Sequence, residues 1–303
     1  MRKPIFMRAC DFVLALIVAG AGGNTALAES TTYNGEATPM GNGTVNTYVA
    51  LAQDRAPLAI GIRMTKMALE GLPTQPNNTG HCFDLNGDGT LEAGTECLGD
   101  YETVLVWPPE AQLANLPFKW MMLNWNPHGH PPHNVYDLPH FDIHFYMVEK
   151  ELIVSIKAGY CGEFVDCEDF KRASVPVPAL YLPAGHTDVG AVVAKMGNHL
   201  INLASPEFAT PPQRFTHTLI YGAYDGRIIF IEPMITREFL LSEPESCTAI
   251  AQPPVWAKAA YYPTKYCIRA IPQEAAVTVS LEGFVNRKIT MEVEDETEND
   301  ALL

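Results

Sequence analysis

The chain has 303 residues, 47% of them hydrophobic and 18% charged, with a formal net charge of -15. That length fills one large domain or two modest ones. The negative charge repels phosphate backbones and anionic lipid heads, which argues against nucleic acid and membrane surfaces as partners.

Residues 1–28 read as a cleavable secretory signal. Arg2, Lys3 and Arg8 come first, an apolar stretch from Phe12 to Gly20 follows, and Ala26-Leu27-Ala28 supplies the small-residue exit before Glu29. The apolar run is about ten residues, against the roughly 20 needed to span a bilayer, so an anchor is disfavoured. Cleavage after Ala28 loses three basic residues and Asp11, taking the net charge to -17. The expected destination is the periplasm or the extracellular space, with no stable membrane insertion after cleavage.

Six cysteines follow the leader, and they fall as three close pairs: Cys82 with Cys97, Cys161 with Cys167, and Cys247 with Cys267. Nearest-neighbour disulfides are expected, because each pair brackets a loop rich in Gly, Pro, Asp or Glu, and an oxidising compartment keeps such bridges closed. The alternative, a Cys/His zinc site, lacks any CxxC spacing.

Along the chain, 29–46 is rich in Thr, Gly, Asn and Ser and reads as a flexible lead-in. A single domain is expected over 47–291, and 292–303 reads as an acidic tail. Period-two alternation predicts strands at Thr47–Leu51, Leu58–Met64, Tyr101–Val106, His140–Val148, Leu152–Lys157, Phe215–Tyr221, Arg227–Ile231 and Ala275–Leu281. Twenty-four prolines leave little room for long helices. Short ones are expected at Pro109–Met122 and around Glu238–Leu241. Tyr224-Asp225-Gly226 marks a tight hairpin turn. These elements add up to a mainly β fold, an antiparallel sandwich or barrel with long disulfide-pinned loops and a few short helices.

Two stretches carry chemistry. Between Cys82 and Cys97, oxygen side chains alternate around Gly87, as a hard Ca²⁺ ion requires. Asp84, Asn86 and Asp88 would ligate by side chain and Thr90 by its carbonyl. The late acid, Glu96, comes one residue beyond the EF-hand position, where Thr95 stands. A calcium-free turn rich in Asn-Gly and Asp-Gly is the alternative.

The second stretch, 125–149, holds five of the nine histidines. From His140 the alternation is strict, with His140, Asp142, His144 and Tyr146 on one face and Phe141, Ile143, Phe145 and Met147 on the other. Residues two apart on a strand are about 6.6 Å apart and can chelate one ion, whereas His140 and His144, about 13 Å apart, cannot share it. Ligands must therefore converge from elsewhere. His128-Gly129-His130 offers two imidazoles, and His199 and Glu232 complete a candidate set of His128, His130, His144, His199 and Glu232 for a divalent transition metal. His140, Asp142 and Tyr146 are supporting or alternative members, and a hydrogen-bonded polar seam without metal is the competing reading. His81, His186 and His217 read as ordinary. No nucleophile motif such as GxSxG is present, which disfavours a serine hydrolase.

Pro127–Pro132, Pro139–Tyr146, Met196–His199, Ile220–Gly226 and Phe230–Thr236 together resemble the bacterial family catalogued as domain of unknown function 5602. The likeness runs over about residues 80–240. It implies a bacterial, exported, histidine-containing protein and brings no activity with it. Two functions are therefore expected to compete. One is a metalloprotein, with or without metal-dependent catalysis on a small molecule. The other is a non-enzymatic envelope or stress protein that binds a ligand or assembles as a homo-oligomer.

Overall fold

A computed structural model describes residues 30–288. The leader and the acidic tail lie outside the described residues. The chain opens with strands β1 (Ser30–Asn34), β2 (Thr38–Met40), β3 (Gly43–Ala52) and β4 (Pro57–Thr65). After a long loop come β5 (Tyr101–Leu105), β6 (Trp120–Asn126) and β7 (His140–Tyr146). Helix α1 (Lys150–Val154), strand β8 (Ala158–Cys161) and helix α2 (Cys167–Ala173) follow. Next are β9 (His186–Val193), β10 (Gly197–Asn202), β11 (His217–Tyr224), β12 (Arg227–Thr236) and α3 (Arg237–Leu241). The last strands are β13 (Glu245–Ala249), β14 (Ala260–Tyr262), β15 (Lys265–Ile271), β16 (Ala276–Glu282) and β17 (Val285–Arg287).

Two antiparallel sheets dominate. One runs β1-β3-β4-β16-β15-β13, with β2 also paired to β3, and the other runs β5-β6-β7-β12-β11-β10-β9. Val45, Val49, Ile60, Ile62, Val277 and Val279 of the first sheet share one core with Leu123, Phe141, Ile143, Phe145, Ile231 and Ile235 of the second. Burying each such side chain is worth about 1.5–3 kcal/mol, so this shared face holds the sheets together. The result is a sandwich.

The outer face of the second sheet is also covered. Trp120, Met122, Tyr146 and Phe230 pack there with Ile153 and Ile156 from the α1 region and with Val165 and Val192. Further along the face, Tyr136, Ile201, Phe215, Ile220 and Met234 form a second apolar group. Polar side chains lie between the two groups, and they make the site.

All three expected disulfides are closed: Cys82–Cys97, Cys161–Cys167 and Cys247–Cys267. The last joins directly opposed residues of β13 and β15. Such bridges fit an oxidising compartment. Among the described residues, no helix is long and apolar enough to cross a membrane. The expected hairpin is present, with Asp225 and Gly226 at φ 50° and 69° in the turn between β11 and β12, as a two-residue turn of this hand requires.

Three expectations fail. The supposed lead-in is sheet, because β1 pairs along β3 from Ser30↔Ala52 to Asn34↔Tyr48. Its polar residues suit an edge strand with one wet face. Leu152–Lys157 is not a strand. Its start lies in α1, and Ile153 and Ile156 are buried at helical spacing. The helix expected over Pro109–Met122 is a short 3-10 turn ending at Ala114, with Asn115 left-handed at φ 44°. Pro117 blocks its continuation, and β6 takes over at Trp120.

Candidate functional site

Strand alternation builds the site. On β7, Phe141, Ile143 and Phe145 enter the core between the sheets, so His140, Asp142, His144 and Tyr146 take the outer face. Register then fixes what joins them. Asn126 and Asn124 of β6 stand opposite His140 and Asp142. Met234 of β12 stands opposite Asp142, and Glu232 of β12 pairs with Ile220 of β11. His199 of β10 faces Gly222 of β11.

Two sets of three ligating residues result, each with one atom per residue within 4.8 Å of the others: His144, His199 and Glu232, and His130, His140 and Asp142. Cys247, Cys267 and Glu282 also cluster, but both sulfurs are spent in a disulfide.

In the first set, Glu232 Oε2 lies 3.4 Å from His144 Nε2 and 3.8 Å from His199 Nε2. These distances exceed the limit of about 3.2 Å for a good hydrogen bond. Both His144 ring nitrogens and Glu232 Oε2 are buried without any hydrogen-bond partner. His199 Nδ1 donates to the carbonyl of Ala191 at 2.9 Å, which leaves its Nε2 carrying the lone pair. A bulge positions that carbonyl: the β9–β10 register jumps from His199↔Ala191 to Leu200↔Asp188. The Phe230 ring packs against both imidazoles, with centroids 4.8 Å from His144 and 5.3 Å from His199. Tyr146 stacks parallel to His144 at 5.6 Å, and its hydroxyl is buried without a partner.

The protonation states follow from burial. Desolvation, reinforced by the neighbouring His199, pushes His144 down to about 3. Desolvation brings His199 to about 4 against the pull of the Ala191 carbonyl. Desolvation and the Asp142 charge raise Glu232 well above the usual carboxylate range. Burial thus holds the imidazoles neutral, the form a metal takes, and a cation between these groups would favour the charged form of Glu232.

The second set is arranged differently. Asp142 Oδ1 lies 3.1 Å from His140 Nε2, and Oδ2 lies 3.3 Å from His130 Nε2. Asn126 Nδ2 donates to Oδ2 at 2.7 Å. Burial opposes charge on Asp142, yet His140 and His130 hold its carboxyl well below the usual range.

The five residues expected to share one metal therefore separate. His144, His199 and Glu232 meet, and His130 joins His140 and Asp142 instead. His128 joins neither set. It is exposed, and its Nε2 donates to the Thr74 carbonyl at 3.1 Å. Gly129 explains the divergence. At φ 74° a Cβ there would sit 1.9 Å from the Tyr136 carbonyl, so the loop doubles back on itself and its two imidazoles part.

Both sets border one cavity of about 370 Å³. Asp142, His130, His199 and Glu232 contribute polar wall, and Val193, Met196, Ile201, Phe208, Ile220 and Met234 contribute apolar wall. Such a volume suits a small ligand.

Sequence reasoning missed Asp100, Asn124 and Asn126. His81, read as ordinary, is buried with Nδ1 2.9 Å from Asp100 Oδ1, and Asn124 donates to the same carboxylate. The two asparagines alternate on β6, so a strand reading of Trp120–Asn126 would have placed them on the histidine face.

The Cys82–Cys97 loop uses its oxygens on its own backbone. Asp84 accepts from Gly87 and Gly89, Asn86 from Asp88, and Asp88 from Thr90. Glu96, expected as the late calcium ligand, accepts from Leu85 and Asn86 through Oε1 and from Glu92 through Oε2.

Compared with models of known families, with curated proteins and with solved structures, the chain finds no match in any of the three.

Proposed function

We propose that the chain is an exported metalloprotein that holds a divalent transition metal at His144, His199 and Glu232 and takes a small molecule in the adjoining cavity. One observation carries this reading: His144 Nε2 and Glu232 Oε2, buried and unpaired on two strands, face each other at 3.4 Å, and His199 Nε2 of a third strand stands 3.8 Å from the same carboxylate oxygen. Tetrahedral ligands about 2.0–2.1 Å from a zinc ion stand about 3.4 Å apart, so the spacing suits coordination better than hydrogen bonding. Two imidazoles and one carboxylate form a donor set used by zinc and by non-haem iron.

A bound ion would supply Lewis acidity at the cavity wall. The chain's own residues do the positioning. Ala191 fixes the His199 tautomer, Phe230 wedges both rings, and β7, β10 and β12 hold the donors on rigid strands. The leader-like residues 1–28 and three disulfides support export. Membership of the family named above is carried with this proposal on the motif resemblance.

Elemental analysis of untagged protein tests the reading. Near-stoichiometric transition metal is expected, with a clear loss in His199→Ala while the circular dichroism spectrum stays β-rich. Metal-free wild-type protein that takes up none on addition would end the proposal.

A further inference from the structure

The structure assigns a second divalent transition-metal site to His130, His140 and Asp142, on the same cavity wall as the first. Its basis is the orientation of both imidazoles. His130 Nδ1 donates to the Pro131 carbonyl at 2.7 Å, and His140 Nδ1 donates to the Leu138 carbonyl at 2.6 Å. With Nδ1 of each ring spent on a carbonyl, Nε2 is the nitrogen left for another partner. Both Nε2 atoms face the oxygens of one carboxylate, at 3.1 and 3.3 Å.

Positive charge must join two imidazoles and a carboxylate at this spacing, either as protons on the ring nitrogens hydrogen-bonded to Asp142 or as a shared ion. His140 Nε2 and Asp142 Oδ1 make no such bond despite their closeness, and both atoms are fully buried. A shared ion satisfies both at once. The surroundings are those of a ligand set: Asn126 steadies the carboxylate at 2.7 Å, and Phe215 packs edge-on against His140 at 5.4 Å.

The two sets share no residue, so either can bind while the other fails. Asp142 and His144 lie two apart on β7, about 6.6 Å along the strand, which makes the ions neighbours rather than one bridged pair. Two imidazoles and a carboxylate at each position select a first-row divalent ion over calcium or magnesium.

Cobalt(II) titration of metal-stripped, untagged protein, read by visible absorption and equilibrium dialysis, tests the assignment. Wild type is expected to take two equivalents, His140→Ala one and His199→Ala one. If His140→Ala loses its β signature in circular dichroism, His130→Ala gives the same reading, because that ring sits on a loop at the cavity wall. A wild type that takes one equivalent, lost in His199→Ala and kept in His140→Ala or His130→Ala, overturns the second site alone. One equivalent with the reverse pattern upholds it and overturns the first site. No uptake overturns both.

Discussion

Individual residues are sorted by whether burial leaves them a partner. His81 and Asp100 form a buried pair beside the cavity, and their titration has a definite sign. Burial disfavours charge on His81, but Asp100, with Glu102 beyond it, holds the imidazole above its ordinary 6.5. Burial likewise opposes charge on Asp100, which His81 and Asn124 hold below 3.8. The His81 contribution to stability is complete below pH 6.5 and is lost as pH rises through the raised value. The Asp100 contribution is complete above 3.8 and is lost as pH falls through the lowered one. Asp100→Asn is therefore expected to lower the thermal midpoint most between those limits. Breaking a buried pair costs about 3–5 kcal/mol, and the gap from wild type should narrow at alkaline pH. Melting curves across pH check this, and a gap that is constant with pH would contradict it.

Strands set the positions of these residues. Gly222 on β11 is the clearest case, because a Cβ there would fall 2.0–2.2 Å from atoms of the Phe230 ring. That ring wedges His144 and His199, so Gly222→Ala is expected to cost about 1–3 kcal/mol by overpacking. It should also weaken metal binding, measured by denaturant unfolding with and without added cobalt. An unchanged midpoint in both conditions would show that Phe230 has room to move. Legibility in the sequence followed the same elements. The alternation on β7 and the Asp225-Gly226 turn were readable because strict period two and a positive-φ turn are local signals. Leu152–Lys157 misled because a short apolar run fits either period, and only the burial of Ile153 and Ile156 decides it. His144, His199 and Glu232 were readable as candidates. Their separation from His130 was not, since it depends on sheet order and on the Gly129 loop, neither of which is a local property.

For the whole molecule, charge and cavity agree. The chain carries a net charge of -15, and the cavity wall includes Asp100, Asp142, Glu163 and Glu232 with no lysine or arginine among its lining residues. Before metal is added, a neutral or cationic apolar ligand suits such a wall better than an anion, which meets four carboxyl side chains there. Benzimidazole is accordingly expected to bind the metal-stripped protein at least about tenfold more tightly than benzoate, a difference of about 1.4 kcal/mol. Calorimetry at low ionic strength would measure it, and tighter benzoate binding would contradict it. The most direct test of the central claim is anomalous X-ray scattering from crystals grown with zinc or cobalt. An anomalous peak is expected about 2.0–2.2 Å from His144 Nε2, His199 Nε2 and a Glu232 oxygen. Peaks confined to exposed histidines such as His133, with none between those three side chains, would contradict it.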